Sequence, residues 1–215
     1  MIITWLGQAC FEIQSGNTTI IIDPYDEKIG FKLPVCNPDI LLITHAHYDH
    51  SNVKAFPATA TVIDKPGEYT SGNISVRGIQ AFHDNVQGAQ RGLNTIYRIE
   101  LEGVSLVHMG DFGEENIRPE TLEAIGNVDI LMIPVGGTYT IDGAQAAVIA
   151  KKIAAPITIP MHYFIPGLNI QLADASSFLE HMGVPGSTPH DELKITQEDF
   201  KKDSQEVIVL SRASS

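Results

Sequence analysis

Basic residues are scarce and never clustered: 14 Lys and Arg stand against 26 Asp and Glu, a formal charge of −12 over 215 residues. A field of that sign repels nucleic-acid phosphates and anionic membrane surfaces, and no run of Lys and Arg offers a local footprint for either. Cysteine is almost absent. Cys10 and Cys36 are too few for a disulfide framework, and Cys10, inside an apolar run, reads as a buried packing residue. No stretch approaches the roughly 18 successive apolar residues of a membrane span. The opening "MIITWLGQACFEI" lacks the basic start and long apolar stretch of a secretory leader. These absences predict a reducing, cytoplasmic setting with neither a membrane nor a nucleic-acid partner.

What remains has the composition of a globular protein, 43% hydrophobic and 19% charged. Nothing linker-like interrupts it, so one domain over residues 1–215 is expected. The first half reads as strands: "IITWL" and "CFEIQ" flank a turn, and "TTIIID" runs into Pro24. Further strands are predicted over 39–44, 60–64, 74–82, 94–101 and 104–109. The second half adds helices. "RPETLEAIG" has Pro near its start and Gly at its end. "DGAQAAVIAKKIA" begins at a plausible Asp142 cap and stops before Pro156. "DASSFLEHMG" offers Asp174 as cap and Gly183 as terminator, and "EVIVL", 206–210, reads as a final strand. "PDILLITHAH" and "VDILMIPVGG" resemble one another, which hints at two similar halves with sheets inside and helices outside.

The densest chemistry lies in "THAHYDH", residues 44–50, where His45, His47, Asp49 and His50 are all able to ligate a metal. Residues two apart on extended backbone project to one side, so His45 and His47 can share a cation. Other ligand-type residues also follow apolar strands: His83 after "ISVRGIQAF", Asp111 after "VSLVHMG", His162 after "ITIPM". Strand ends hold side chains with little positional freedom. The donors divide into His45, His47 and His83 for one metal, Asp49, His50 and His162 for a second, and Asp111 between them. Imidazole and carboxylate donors suit two divalent cations, Zn2+ first, with Mn2+ or Fe2+ as alternatives. Lone histidines such as His181 and His190 read as surface groups. His108, close to Asp111, reads as a strand-face or supporting residue.

The pattern resembles the metallo-β-lactamase superfamily, whose H-x-H-x-D-H signature is matched by His45, His47, Asp49 and His50. The later His, the Gly-Asp and the last His match His83, Gly110-Asp111 and His162. "LLITHAHYDHSN", "HMGDFG", "LMIPVGGTYTID" and "IPMHY" resemble a branch of small metal-dependent hydrolases related to ascorbate-6-phosphate lactonase. The resemblance implies an α/β (α+β) fold, the αββα sandwich, with metals at one edge. It also implies an enzyme in which a dinuclear metal-activated hydroxide attacks a small-molecule ester, lactone or phosphoester. Asp49 would bind a metal and orient or accept a proton. The third ligand of the first metal is His83, with His108 as the alternative.

Tyr48, Arg91, Asn94, Tyr139 and Tyr163 lie near these ligands in sequence and are candidates for substrate contact. Gly136 and Gly137 read as turn residues. A nuclease or phosphodiesterase of this fold is disfavoured by the acidic balance. A secreted lactamase would want a leader, and a diiron flavoprotein would want Glu at position 47. A non-catalytic metal-binding protein would be expected to have lost ligands, and a structural zinc site would not need seven of them. The expected partner is a small-molecule substrate; a homo-oligomer stays open.

Overall fold

The computed structural model describes residues 1–201 and 205–213. Among the described residues thirteen strands form two mixed sheets, and their directions decide where the candidate ligands meet.

The first sheet contains β1 (Ile2–Gly7), β2 (Cys10–Ser15), β3 (Thr18–Ile22), β4 (Ile40–Leu42), β5 (Thr61–Ile63) and β12 (Leu193–Lys194), in the order β12-β1-β2-β3-β4-β5. The second contains β6 (Gly67–Ser71), β7 (Ile74–Phe82), β8 (Leu93–Leu101), β9 (Val104–His108), β10 (Ile130–Pro134), β11 (Ile157–Met161) and β13 (Glu206–Val207), in the order β13-β11-β10-β9-β8-β7-β6. β3, β4 and β5 run parallel. β7 and β9 both run antiparallel to β8 and hence parallel to one another, and β10 and β11 run parallel to β9. The C-terminal ends of β7, β9 and β11 therefore share one edge of their sheet.

Side-chain alternation sets the layers. In β3 and β4 Ile20, Ile22, Ile40 and Leu42 face the second sheet, while Ile21 and Leu41 face outward. β10 and β11 are buried throughout, the continuous apolar pattern of parallel strands covered on both faces. Tyr97 joins the sheets: its hydroxyl lies 2.9 and 3.0 Å from the Ile43 and Ile63 carbonyls. Three α-helices among the described residues lie on the side of the second sheet. α1 (Pro119–Ile125) packs on β7, α2 (Gly143–Ile153) on β10, and α3 (Ser176–His181) beside α2. On the outer face of the first sheet, Tyr25, Ile29, Phe31, Phe56, Leu168 and Ile170 cover Leu6, Cys10, Ile21 and Leu41. They come from loops and the short 3-10 turns Glu27–Ile29 and Val53–Ala55.

Asp142 caps α2 as expected, in a reciprocal capping box with Gln145. For α3 the N-cap is Ala175 rather than Asp174, whose carboxylate instead accepts the Ser176 N–H at 2.9 Å. The final strand is shorter than expected: β13 ends at Val207, and Leu210 makes only an isolated bridge to His190. β6, "GEYTS", has no apolar alternation to announce it and lies exposed at a sheet edge. No helix among the described residues is long and apolar enough to cross a membrane.

Candidate metal centre

His45, His47, Asp49 and His50 follow β4, His83 follows β7, Asp111 follows β9, and His162 follows β11. They converge in three groups whose candidate donor atoms lie within 4.8 Å of one another: His45–His47–His83, His45–His50–Asp111 and Asp49–His50–His162. The first and third match the two triads expected from sequence, and Asp111 lies between them. Its Oδ2 sits 3.9 Å from His45 Nε2, 3.3 Å from His50 Nε2, 3.3 Å from His83 Nε2 and 3.2 Å from His162 Nε2. Asp111 Oδ1, His50 Nε2, His83 Nδ1 and His162 Nδ1 are buried without a hydrogen-bond partner. Unpartnered buried polar atoms are costly, about 1–3 kcal/mol each, and this set offers the nitrogen and oxygen donors that zinc, manganese or iron accept.

A buried layer of polar residues orients the imidazoles. Asp23 accepts the Thr44 N–H at 2.8 Å, the Thr44 hydroxyl at 2.7 Å and His50 Nδ1 at 2.9 Å. Thr44, having given its proton to Asp23, accepts from His45 Nδ1 at 3.0 Å. Both contacts turn Nε2 of His45 and His50 toward the cluster, and in the neutral ring that nitrogen carries the lone pair, the arrangement that orients metal-bound histidines. Gln8, fully buried, donates from Nε2 to Asp49 Oδ2 at 3.0 Å. Its backbone carbonyl accepts the Trp5 indole N–H at 2.9 Å and the His162 N–H at 3.0 Å. Gln8, Asp23 and His162 all adopt positive φ, strain that the hydrogen bonds around them hold in place.

Electrostatics sort the cluster. Burial pushes His45 well below the ordinary histidine value, and the neighbouring His50 pushes it further, favouring the neutral imidazole. Burial would also depress His50, but the carboxylates of Asp111 and Asp23 outweigh it and hold His50 well above that value. Burial opposes ionisation of Asp49, yet His50, with Nε2 3.5 Å from Asp49 Oδ2, lowers its pKa to about 2. Asp111 is held well below the carboxylate range in the same way: burial is overcome by His162 and His50.

Above the cluster lies an open cavity of about 590 Å³, lined by His47, Tyr48, Asp49, His83, Arg91, Asp111, Tyr139, Asn169, Ile170 and Gln171. Its size is that of a small-molecule site, roughly 300–1,000 Å³. Tyr48, Arg91 and Tyr139 thus stand where the sequence suggested. Asn94 does not: it is buried, donating to the Met109 carbonyl at 2.8 Å and accepting the Asp111 N–H at 3.0 Å, so it positions the carboxylate. Tyr163 is also buried, its ring stacked on Trp5 at 5.0 Å, and lies outside the cavity lining. His108 stands as the supporting residue that its sequence position suggests and not as the alternative ligand. Its Nε2 donates to the Ala9 carbonyl at 2.8 Å and its Nδ1 accepts the Gly110 N–H at 3.1 Å, so neither nitrogen is available, and His83 completes the first triad. Asn169, Ile170 and Gln171 carried no sequence signal. Asp23 did: it follows an apolar strand, as the candidate ligands do.

A sandwich of two mixed sheets with histidines and aspartates gathered at its strand-end edge defines a metallo-β-lactamase-fold protein. Residues 2–162 match the model of the beta-lactamase superfamily domain, and the chain belongs to that superfamily. It is 32% identical over 189 residues to the "UPF0173 metal-dependent hydrolase" of Methanoculleus marisnigri, covering 76% of this chain and 81% of that one. A protein of the same description from Thermoplasma volcanium is 31% identical over 190 residues, 75% of this chain and 82% of its own. The crystal structure of a candidate Zn-dependent hydrolase of the metallo-beta-lactamase superfamily from Thermotoga maritima superposes with a TM-score of 0.78 at 32% identity, covering 97% of each chain.

Proposed function

We propose that this chain is a metal-dependent hydrolase acting on a small-molecule ester, lactone or phosphoester, with two divalent cations at the His/Asp cluster. The observation that carries the reading is the Asp111 carboxylate, one oxygen of which is ringed by four imidazole nitrogens, with its other oxygen and His50 Nε2 buried and unpartnered. His45, His47 and His83 would hold one cation and Asp49, His50 and His162 the other, with Asp111 between them. Cations so held supply the positive charge that lets water lose a proton near neutral pH and that polarises a carbonyl or phosphoryl oxygen.

The chain's own groups do the rest. Asp49, ionised throughout the neutral range, orients the attacking water through its proton, and Gln8 fixes one of the Asp49 oxygens for that task. Thr44 and Asp23 keep the His45 and His50 rings from turning. Tyr48 stays a neutral phenol, since partial desolvation and the nearby Asp49 and Tyr139 raise its pKa, and so can donate a hydrogen bond to bound substrate. The open mouth, with Tyr48 exposed and His47 reaching solvent, admits a ligand from bulk water.

The test is metal content per chain by plasma mass spectrometry, on protein prepared without chelator or nickel, beside turnover of a panel of esters, lactones and phosphoesters. Near two metals per chain, falling in both Asp111→Ala and His83→Ala, with turnover lost in step, is the expected result. Protein that takes up no zinc or manganese on reconstitution removes the basis of this function.

A further inference from the structure

Among the described residues, Arg91 is the one lysine or arginine lining the cavity above the histidine cluster. The other four arginines of the chain are engaged. Arg77 pairs with Glu68, Arg98 with Glu100, Arg118 with Glu114 and Glu120, and Arg212 donates to the Ala213 carbonyl. The Arg91 guanidinium makes no ion pair or hydrogen bond with the described residues; it lies over the Tyr139 ring, 4.8 Å from the centroid. Among the described residues Arg91 and Arg212 are the arginines without a carboxylate partner, and of the two Arg91 lines the cavity with no hydrogen bond of its own. The ring under one face leaves the edge of the guanidinium, where its N–H groups lie, free for a ligand.

The loop fixes where that cation stands. Asp84 accepts the backbone N–H groups of Val86 and Gly88 at 2.9 and 2.7 Å on one oxygen, and those of Gln90 and Arg91 at 2.9 and 2.7 Å on the other. Both oxygens are committed to closing the loop, so Asp84 anchors the Arg91 backbone and does not pair with its side chain. Glu115 lines an adjoining cavity that shares His83, Arg91 and Tyr139, and it forms no ion pair with Arg91 either.

We propose that Arg91 forms an anion subsite: the substrate carries a carboxylate or phosphate group set apart from the bond that is cleaved, and the guanidinium takes it through a forked, charge-assisted pair. The cleavage itself rests on the hydrolase reading above; the anion subsite does not.

Arg91→Ala removes the guanidinium but keeps the backbone N–H that Asp84 holds, so the loop survives the test. Metal-loaded wild type, Arg91→Ala and Arg91→Lys are compared on two p-nitrophenyl esters, the neutral acetate and the carboxylate-bearing hemisuccinate. The ratio of kcat/KM for hemisuccinate over acetate falls about tenfold in Arg91→Ala, through KM, and partly recovers in Arg91→Lys. In wild type that ratio also declines with added salt. Calorimetric titration of succinate, and separately of inorganic phosphate, into the same metal-loaded proteins reads binding without turnover. Weaker binding by about tenfold in Arg91→Ala is expected, and the two titrants tell carboxylate from phosphate. Where the esters are cleaved, the ratio decides: an unchanged ratio overturns the subsite and leaves the hydrolase standing. Where neither ester is cleaved, the hydrolase reading is the one in trouble, and calorimetry decides the subsite: equal binding by wild type and Arg91→Ala, or none by either, overturns it.

Discussion

Gln8 has a neutral side chain and no ligand chemistry to attract notice in a sequence, yet its amide is the polar group that holds Asp49 from behind. Replacing Gln8 by Leu leaves Asp49 Oδ2 without its N–H donor, and supports of this kind are worth roughly 10- to 100-fold in metal affinity. Chelator competition on Gln8→Leu is the check; affinity equal to wild type would mean that Asp49 needs no such anchor. The seven candidate ligands were legible because histidine and aspartate at strand ends are rare and chemically pointed. Gln8 and Asn94 were not legible for support roles, since only the folded backbone shows which carboxylate an amide faces. Cys36 gives a pH prediction. Burial and the carboxylate of Glu12 raise its thiol to about 11, and a raised thiol pKa means little thiolate at neutral pH. Alkylation by iodoacetamide is therefore slow at pH 8 and accelerates only as the pH nears about 11. Fast labelling of the folded chain at pH 8 would contradict that environment. Cys10, fully buried, stays unlabelled until the chain unfolds.

Among the elements, the turn after β9 is the most constrained. Gly110 adopts φ +55, and a Cβ there would lie 2.3 Å from Asn94 Oδ1, the atom that receives the Asp111 N–H. Gly110→Ala therefore strains the backbone and pushes on the amide that sets Asp111. A loss of about 1–3 kcal/mol in urea unfolding is expected, together with reduced metal content; a variant with wild-type stability and metal would show the turn to be compliant. Gly136 is similarly placed, since its Cβ would come within 2.2 Å of the His162 carbonyl, so the turn role read from its sequence is joined by close backbone approach. The α2 cap is a milder case: Asp142→Ala costs about 1 kcal/mol. A β-branched run such as β3, a strand with apolar–polar alternation such as the start of β7, and a helix with a clean cap such as α2 could be read in advance. β6 and β12 could not, because a short polar edge strand is defined by the neighbour it pairs with and not by its own pattern.

For the whole molecule, the candidate ligands come from both sheets: four follow β4 in the first, and His83, Asp111 and His162 follow strands of the second. Cations held there would tie the two sheets together, and a ligand held only by the folded state stabilises it by mass action. At a free metal concentration a thousand times the dissociation constant the gain is about 4 kcal/mol. For a chain of this size that corresponds to a melting shift on the order of 10 °C. Differential scanning calorimetry with and without chelator reads it directly, and coincident melting curves would show that the cluster holds no cation of consequence.

The same arrangement has a bearing on how the chain comes to be active during its synthesis. His45 and His162 are 162 − 45 = 117 residues apart, and the second triad is incomplete until β11 has paired with β10. Contacts that distant close late, after most of the loop entropy has been spent. A nascent chain halted before residue 162 can present "THAHYDH" and still lack one wall of the site, so capture of the full metal complement marks the arrival of the finished fold.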